Sequence, residues 1–510
     1  MGGRTTRCAG ILFAAWAAFA GGAGAKPPPP RSPIAVVRAE VACRAAERGY
    51  AAQLAERTAR WLGTGGVKAD LVGDGRPEAA FAGRRLVYLV VCQKPSTDLL
   101  RALARLRARG GKIAVLQSYA PELAAFMGVA APGPAARRAD AVAVQAASGG
   151  WWVPNLFTAD EEEDVKARRL LAMAAAAVPG AWNAAAWQAR RKALLAAERD
   201  YGRRQRPRRG EIHAVWDHTG EGLYPGDWPR TLRLLRVQGV TDLFVNVGGA
   251  GFAHYASRVL PQSPVCRASG DQLAACLAAA RGTGVRVHAW FLCFTAARGS
   301  ASRLAELAKR GWRVKDRAGR LTEYLDPSRA DLRAHLLAAL DELERNYPVA
   351  GVHLDFLRRY EGAAARPRNA AAAVTAFVEA ARRRQRAAAP RAWLTAATLA
   401  GYPACVASVG QDWGDWLDRG LIDYAVPMNY FTRLEACEAA LARQTGGGAR
   451  ARRIISGIGV TANESVLSPA QVVDQVNAAR RAGVAGVALF DLDRTLADRV
   501  LPVLRLGLFR

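Results

Sequence analysis

The sequence predicts an α/β protein with a C-terminal (β/α)8 barrel, preceded by a smaller α/β domain and a helical connector. At 510 residues the chain exceeds one ordinary hydrophobic core, so two domains are expected. A strand, a helix, a Gly-Gly pair and a second strand follow one another within residues 86–117, which is the order of a parallel crossover. After Gly210, eight short apolar segments alternate with helical patterns over about 300 residues, a length typical of a closed barrel.

The first 25 residues have the features of a secretory signal peptide. Arg4 and Arg7 form a positive region, residues 11–19 an apolar region, and residues 23–25 a small-residue cleavage site. A Pro-rich spacer follows at residues 26–33. We therefore expect an exported protein, periplasmic or extracellular, with a retained N-terminal anchor as the alternative. No later apolar run is long enough to span a bilayer.

The first α/β domain is expected at residues 34–150. Strands at 86–92 and 112–117 flank a helix at 97–109, which ends at Gly110-Gly111 because glycine tolerates the left-handed position that follows a helix. Residues 151–209 are expected to form a helical connector and a basic linker. The Ala-rich part, residues 161–201, opens with an acidic run that complements the positive end of a helix dipole, so it indicates a helix start rather than a metal site.

The barrel is expected at residues 210–510. Its predicted strands are residues 212–216, 242–247, 286–293, 351–356, 393–398, 424–429, 454–458 and 487–491. Two of the intervening helices have strong start signals, at Asp227 and at Ser468-Pro469. An open doubly wound sheet would also alternate strands and helices, but eight evenly spaced parallel strands favour closure.

The composition does not favour a nucleic-acid binder, despite a formal net charge of +28. Only eight of the 72 basic residues are lysines, and the abundance of Arg and Ala is typical of a genomic bias. Several arginines fall on predicted outer helix faces, for example Arg230, Arg233, Arg236 and Arg382. A cationic surface still attracts polyanions in a salt-dependent way. There is no phosphate loop or dinucleotide fingerprint, so we expect no cofactor.

Seven cysteines follow the signal segment, and their spacing fits no zinc template. Cys266–Cys276 and Cys405–Cys437 are possible disulfides in an exported protein, although the sequence alone does not pair them. The odd number leaves at least one thiol free or paired between chains. Most of the seven are expected to be small buried side chains.

Residues 350–358 contain the strongest candidate for chemistry. Alternation along a buried strand places His353 and Asp355 on one face, and it places Val352, Leu354 and Phe356 on the other. A buried strand rarely carries an acidic residue that is neither paired nor functional. Asp355 stands at the C-terminal end of its strand, where barrel enzymes place their catalytic residues.

Two readings of the neighbours of Asp355 remain open. Arg358 could form an ion pair with Asp355 that only fixes the loop. His353 lies one layer deeper and could tune the carboxylate by hydrogen bonding, or it could be an ordinary core histidine.

Glycoside hydrolysis usually needs a second carboxylate, because one group protonates the leaving oxygen and the other attacks or activates water. Asp491, at the end of the last strand, and Asp326, before a helix, rank first. The other carboxylates near strand ends are Asp217, Glu464, Asp412 and Glu323.

Amides, imidazoles and aromatic rings also follow the strand ends, and they suit a sugar ring, which offers C–H faces for stacking and hydroxyls for hydrogen bonding. The expected substrate-binding residues are Trp216, Asp217, His218, Asn246, His288, Trp290, His353, Arg358, Asn429 and Tyr430. A metal site built from His218, His288 and His353 would need all three to converge. No HExxH-like signature supports it, so no metal is expected.

Four segments that span most of residues 211–493 carry a family resemblance. They are Glu211-Ile-His-Ala-Val-Trp216, Tyr324-Leu-Asp-Pro327, Gly351-Val-His-Leu-Asp-Phe-Leu-Arg358 and Asp423-Tyr-Ala-Val-Pro-Met-Asn-Tyr430. Together they resemble the glycosyl-hydrolase-like families of bacterial envelope proteins, which are described as similar to family-ten glycoside hydrolases. The resemblance implies a TIM barrel that acts on a glycan, with Asp355 at the position of the family's strand-four acid. The usual Arg-Tyr-Pro ending is replaced here by Arg358-Arg359-Tyr360-Glu361.

Residues 34–150 more weakly resemble a flavodoxin-like or class I glutamine-amidotransferase-like domain. Such amidotransferases carry a nucleophilic Cys at a strand–helix elbow, where this sequence offers Ser118. The resemblance therefore implies an inactive domain that serves recognition or support.

The sequence thus predicts an exported glycoside hydrolase that acts on a polysaccharide or cell-envelope glycan through Asp355 and a second carboxylate. The alternative is a non-catalytic carbohydrate-binding or scaffolding protein with a degenerate barrel. A nucleic-acid or polyanion binder driven by charge is a further alternative.

Overall fold

The computed structural model describes residues 32–38, 48–73, 75–90, 95–116, 121–129, 144–145, 149–153, 163–364 and 370–510. The signal segment, most of the spacer, Cys43, Cys92 and Ser118 lie outside these residues.

A mainly parallel sheet forms the first α/β unit. Its strands are β1 (Ile34–Arg38), β2 (Asp70–Gly73), β3 (Leu86–Val90), β4 (Lys112–Leu116), β5 (Val144–Gln145) and β6 (Trp151–Val153). Its helices are α1 (Arg48–Thr64), α2 (Pro77–Phe81), α3 (Thr97–Ala108), α4 (Pro121–Met127) and α5 (Glu163–Ala177). The strand order is β2-β1-β3-β4-β6-β5, in which the β5–β6 pair is antiparallel and the other pairs are parallel. The predicted crossover is confirmed, because α3 connects the parallel neighbours β3 and β4.

This unit continues past residue 150. Strand β6 pairs with β4, and Tyr88 on β3 donates a 2.7 Å hydrogen bond from its hydroxyl to the carbonyl of Leu170 on α5. The Ala-rich stretch predicted at 161–201 is two helices, α5 and α6 (Ala184–Arg203), because Pro179-Gly180 interrupts it. Helix α6 begins at Asn183, whose side chain caps it, and runs on to the barrel.

The remaining strands belong to the barrel and to short excursions from it. They are β7 (Ile212–Asp217), β8 (Asp242–Gly249), β9 (Phe252–Ala253), β10 (Arg286–Leu292), β11 (Arg313–Lys315), β12 (Leu321–Leu325), β13 (Gly351–Asp355), β14 (Trp393–Leu399), β15 (Tyr424–Met428), β16 (Ile455–Gly459) and β17 (Gly486–Phe490). Eight of them close a parallel ring in the order β7-β8-β10-β13-β14-β15-β16-β17, with β17 pairing back to β7. The structure is therefore a (β/α)8 barrel, as predicted.

The helices of this region surround the ring. They are α7 (Trp228–Val237), α8 (Pro264–Ser269), α9 (Gln272–Ala280), α10 (Ala301–Lys309), α11 (Ala330–Asn346), α12 (Ala370–Ala388), α13 (Ala404–Val409), α14 (Trp413–Asp418), α15 (Leu434–Gln444), α16 (Pro469–Arg481) and α17 (Leu501–Arg505). Both predicted start signals are confirmed. Asp227 caps α7 by accepting from the Arg230 N–H at 3.0 Å, and Ser468 forms a capping box with Gln471 at the start of α16.

Alternation along the strands separates an inner layer from the helix-facing core. Trp216, Phe244 and Trp290 pack inside the ring, whereas Val352 and Leu354 join the core beneath the helices. One orientation was predicted incorrectly. Phe356 does not continue the outer face, because its backbone adopts the left-handed region (φ +53°) directly after β13, and its ring packs toward the inner layer.

The prediction that arginines lie on the outer face of a helix is confirmed for α7, where Arg230, Arg233 and Arg236 are exposed. Arg382 on α12 does not lie on a solvated face as predicted. Its guanidinium forms two hydrogen bonds with Asp423, at 2.9 and 2.7 Å, and its side chain is only 12% exposed.

The five described cysteines are all buried free thiols, so neither of the two possible disulfides is formed. Among the described residues, no helix combines the length and the apolar character needed to cross a membrane.

Candidate active site

Two carboxylates stand at the C-terminal end of the barrel on opposite sides of the ring. Asp355 is the last residue of β13, and Asp491 directly follows β17. These two strands are four apart in the closed ring of eight, so they face each other across the barrel. This end of a (β/α)8 barrel is where parallel strands direct their terminal side chains into one shared mouth. We call this mouth, with Asp355 on one side and Asp491 on the other, the cup.

Asp355 is almost entirely buried, with 5% of its surface exposed. Its Oδ2 accepts from the indole N–H of Trp290 at 3.1 Å, and its Oδ1 accepts from the backbone N–H of Phe356 at 2.5 Å. Burial raises the pKa of Asp355 above its ordinary value, although the charge of Arg358 and these two hydrogen bonds oppose the rise. The left-handed backbone of Phe356 aims its N–H at the carboxylate.

Arg358 is a loose partner for Asp355. Its Nη1 lies 3.7 Å from Asp355 Oδ1, beyond hydrogen-bond distance, and has no hydrogen-bond partner among the described residues. The guanidinium instead stacks 4.4 Å above the ring of Phe356. Since this Nη1 is buried, Arg358 and Asp355 form a loose buried ion pair without a hydrogen bond between them.

Asp491 is the second acid of the cup, and its side chain is 22% exposed. Its Oδ1 accepts from the hydroxyl of Thr461 at 3.0 Å, and its Oδ2 lies 3.9 Å from Nδ1 of His218. Burial raises the pKa of Asp491 to about 6. The negative charge of Asp217 adds to the rise, and Thr461 opposes it. Asp491 therefore changes protonation state near neutral pH.

Aromatic rings form the floor between the two acids. Phe490 lies at its centre, with ring centroids 5.8 Å from His218, 6.1 Å from Trp216, 6.4 Å from Trp290 and 5.4 Å from Tyr430. Sequence reasoning missed Phe490. The available signal was its position immediately before Asp491 at a strand end. Trp216 and Trp290 are buried, whereas Phe490 and Tyr430 are partly exposed and offer apolar faces of the kind against which sugar rings pack.

Tyr430 and His218 lie near both acids. Burial raises the pKa of Tyr430 well above its ordinary value, and the charges of Asp355 and Asp491 raise it further. Burial lowers the pKa of His218, as does the charge of Arg298, while Asp217 and Asp355 oppose this. His218 is thus favoured as a neutral imidazole between the two acids.

His353 supports the floor from below. The indole N–H of Trp216 donates to His353 Nε2 at 3.0 Å, and since an indole can only donate, this nitrogen carries no proton. Nδ1 must then hold the proton and donate to the hydroxyl of Thr395 at 2.8 Å. Burial lowers the pKa of His353 well below its ordinary value. The histidine is a neutral positioning residue for Trp216, with no direct contact to Asp355 in this arrangement.

Two predicted site residues are not in the cup. His288 is fully buried deeper in the barrel, where Nε2 lies 2.7 Å from Oδ1 of Asp242 at the start of β8. Asp326 lies in the turn before α11, where its Oδ1 accepts from the backbone N–H and the hydroxyl of Ser328 at 2.9 and 2.7 Å. The structure therefore places His288 in the core of the barrel and Asp326 in a turn, and it does not bring either residue together with the two acids of the cup.

Three further predicted residues lie at strand ends, but their side chains form hydrogen bonds with neighbouring parts of the protein. Asp217 accepts from Thr219 and from the Gly222 N–H, Asn246 donates to the carbonyl of His218, and Asn429 exchanges hydrogen bonds with Gln444. They are better placed to shape the cup than to bind substrate.

The charge of one residue of the first α/β unit also acts on the cup, which sequence reasoning did not predict. Arg57 on α1 lies close enough to Asp491 for its charge to lower the pKa of that carboxyl. No sequence pattern reports such a charge interaction, because it depends on how two separate units pack.

Among the described residues, no group of three or more His, Cys, Asp or Glu side chains is arranged to hold a metal ion. His288 and His353, two members of the metal site considered from sequence, are committed to partners in the barrel interior.

Comparisons with known proteins give fold-level similarities. No protein family matches the chain, and no curated protein does. Solved structures with a similar fold include the glycoside hydrolase domain of PgaB (BpsB) from Bordetella bronchiseptica, at a TM-score of 0.46 and 14% identity, covering 58% of this chain and 98% of that one. A class V chitinase from Pseudomonas fluorescens has a TM-score of 0.40 and 12% identity, covering 58% and 99%. An alpha-L-fucosidase from Paenibacillus thiaminolyticus has a TM-score of 0.43 and 14% identity, and this chain, 59% of which aligns, spans about half of it, 48%. Because these TM-scores are below 0.5, a functional assignment has to rest on the side chains of the cup.

Proposed function

We propose that the protein hydrolyses glycosidic bonds of a polysaccharide or cell-envelope glycan in the cup. The observation that carries the proposal is the pair of acids, Asp355 and Asp491, on opposite strands above an aromatic floor. Glycoside hydrolysis uses such a pair because one acid protonates the leaving oxygen while the other, ionised, attacks the sugar or activates water.

The surroundings of the two acids assign their roles. Asp491, with a pKa of about 6, retains its proton in mildly acidic solution and can deliver it to the glycosidic oxygen. Burial raises the pKa of Asp355 as well, but the two N–H hydrogen bonds that it accepts and the charge of Arg358 oppose this rise. Asp355 therefore serves as the nucleophile or the base.

Stacking and hydrogen-bonding groups around the acids support a sugar substrate. Trp290 and Tyr430 flank Phe490, and the partly exposed imidazole of His218 offers a hydrogen bond to a hydroxyl. The side chain of Arg358, which is 20% exposed, offers another. We also propose export, on the basis of the signal-like segment at residues 1–25, because export would bring the enzyme to envelope glycans.

We further propose a flavodoxin-like first unit without activity of its own. Its first four sheet positions, β2-β1-β3-β4, follow the flavodoxin-like order. The effect of the Arg57 charge on Asp491 supports a role of this unit in the electrostatics of the cup.

The test is a screen of the purified protein against peptidoglycan strands and common polysaccharides, with reducing ends as the readout. We expect new reducing ends from at least one glycan, their loss in Asp355→Asn and Asp491→Asn, and their retention in the control Asp326→Asn. Binding to a glycan without any cleavage would instead identify a non-catalytic carbohydrate-binding barrel.

A further inference from the structure

A cavity lies at the N-terminal end of the barrel, at the opposite end from the cup. It has a volume of about 360 Å³, within the range of small-ligand pockets. Its walls come from the basic linker before β7 and from the first residues of β7, β10, β14 and β15. Its four arginines are Arg208, Arg209, Arg286 and Arg452. We call this space the basal pocket.

Three of these arginines have no counter-charge. Arg208, Arg209 and Arg452 are exposed, and none of them forms an ion pair with a carboxylate among the described residues. Arg208 donates from Nη1 to the carbonyl of Val484 at 3.2 Å, which holds its guanidinium at the wall of the pocket. The basic linker predicted from the sequence thus contributes two cations to one cavity.

The acids at this end of the barrel already have partners. Glu211 lines the basal pocket, but its side chain is only 2% exposed. Its carboxylate accepts from Nε of Arg480 at 2.9 Å and lies 2.9 Å from Nε2 of His213. Asp242 is fully buried and accepts from Arg286 at 2.7 Å. The side of the pocket that faces solvent is therefore cationic.

Arg286 is a preorganised donor in this wall. Its Nη2 donates to Asp242, and its guanidinium lies 4.2 Å from the ring centroid of Trp393. The side chain is still 43% exposed, and it forms no other hydrogen bond with the described residues. Its remaining N–H groups can therefore bind a ligand. A guanidinium matches the paired oxygens of a phosphate or a carboxylate.

We propose that the basal pocket binds the oxyanion of a sugar-sized molecule, either a phosphate ester or a uronic acid. Four guanidinium groups around one cavity repel each other and attract an anion, and they disfavour a cation. The cavity is larger than a single oxyanion, so it has room for the ring that carries it, beside the partly exposed phenol of Tyr424. Because the pocket lies at the opposite end of the barrel from Asp355 and Asp491, the inference is independent of the proposed function.

The experiment measures the binding of glucose 6-phosphate, glucuronate and glucose to the purified protein by calorimetry. At least one of the two anions should bind and glucose should not, because only the anions engage the arginines. Arg209→Ala combined with Arg452→Ala should weaken the affinity at least about tenfold, the factor expected for a lost hydrogen bond between charged groups. Both side chains are exposed and have no hydrogen-bond partner among the described residues, so folding should be unchanged.

The matched control is Arg203→Ala combined with Arg233→Ala. Both of these arginines are exposed and lie outside the basal pocket, so the control removes the same charge from other surfaces. The affinity for the anion should be unchanged in this variant. An equal loss in both variants would overturn the site, because the anion would then respond only to the net charge of +28.

Two other results would also overturn the basal pocket: no binding of either anion, or equal binding of glucose. Tighter binding of glucose 6-phosphate supports a phosphate ester as the ligand, and tighter binding of glucuronate supports a uronic acid. A crystal soaked with the tighter anion provides an independent check. Its oxyanion should lie within hydrogen-bond distance of Arg286, and an anion bound only elsewhere would contradict the proposal.

Discussion

The barrel has aspartates near both ends of its interior, and their pKa values are shifted in opposite directions. Near the N-terminal end, Asp242 accepts from Thr241, Arg286 and His288 at 2.6–2.7 Å. Burial alone would raise the pKa of Asp242, but His288 and Arg286 hold it below its ordinary value. At the C-terminal end, the buried Asp355 and the partly exposed Asp491 have fewer charged donors, and loss of contact with water raises both pKa values. A buried acid surrounded by donors is structural, whereas a buried acid with incomplete partners is available for chemistry.

The largest expected effect comes from removing the charge of Asp355, one of the two acids of the cup. Asp355→Asn should lower the hydrolysis rate by at least roughly 10²–10⁴-fold, because a positioned carboxylate has no substitute in the cup. The neutral amide relieves a buried charge, so folding should be preserved. Hydrolysis rates and thermal unfolding of the same preparation check both statements.

Asp242→Asn should have the opposite effect to Asp355→Asn, because it should lower stability and leave the specific activity unchanged. The substitution removes the carboxylate that accepts hydrogen bonds from the buried His288 and the half-exposed Arg286, and we expect a loss of about 3 kcal/mol in the free energy of unfolding. The specific activity of the folded fraction should remain. Because the pKa of Asp242 is lowered in the folded state, its contribution is present at neutral pH and is lost as the pH falls through that lowered value. Urea unfolding at pH 7 and at pH 3 measures it; an equal loss at both would contradict this origin.

Asp491 should give the reverse pH dependence of stability. Its folded-state pKa of about 6 lies above the ordinary value of 3.8, so the stability linked to its proton is complete below pH 3.8 and is lost as the pH rises through about 6. Asp491→Asn should therefore be more stable than the parent at pH 8, by roughly 1–3 kcal/mol, while losing activity. Unfolding at pH 4 and pH 8 tests this, and a variant that is less stable at pH 8 would refute it.

The smallest effect concerns the contact between the two units. If Asp491 is the proton donor, the rate of hydrolysis should fall as the pH rises through about 6. Arg57 lowers that pKa, so Arg57→Ala should move the alkaline limb of the pH–rate profile to higher pH, by less than about one pH unit. Arg101→Ala, at an exposed ion pair on α3, is the control and should leave the limb in place. A downward shift in Arg57→Ala would show that the arginine does not face Asp491.

The fold was largely predictable because it depends on local patterns. Alternating apolar residues located every barrel strand, and caps such as Asp227 and Ser468 located helix starts. The cup was only partly predictable. Alternation along a strand gives the face of a residue but not its depth, and depth depends on the stagger between strands. His288 and His353 show the same pattern, yet only His353 lies under the aromatic floor, whereas the stagger places His288 beside Asp242.

Other features of the site had no local signal. The left-handed backbone of Phe356 is a disfavoured conformation for an aromatic residue and is stabilised only by its surroundings. The choice between Asp491 and Asp326 depended on loops whose paths are set by packing. Arg57 required knowledge of how the first unit sits on the barrel.

The most direct test is to measure hydrolysis and unfolding of Asp355→Asn and Asp242→Asn side by side. A crossed result is expected, with the Asp355 variant folded but inactive and the Asp242 variant active in its folded fraction but much less stable. If both variants lose stability and keep specific activity, Asp355 is a structural acid like Asp242, and the cup is not a catalytic site.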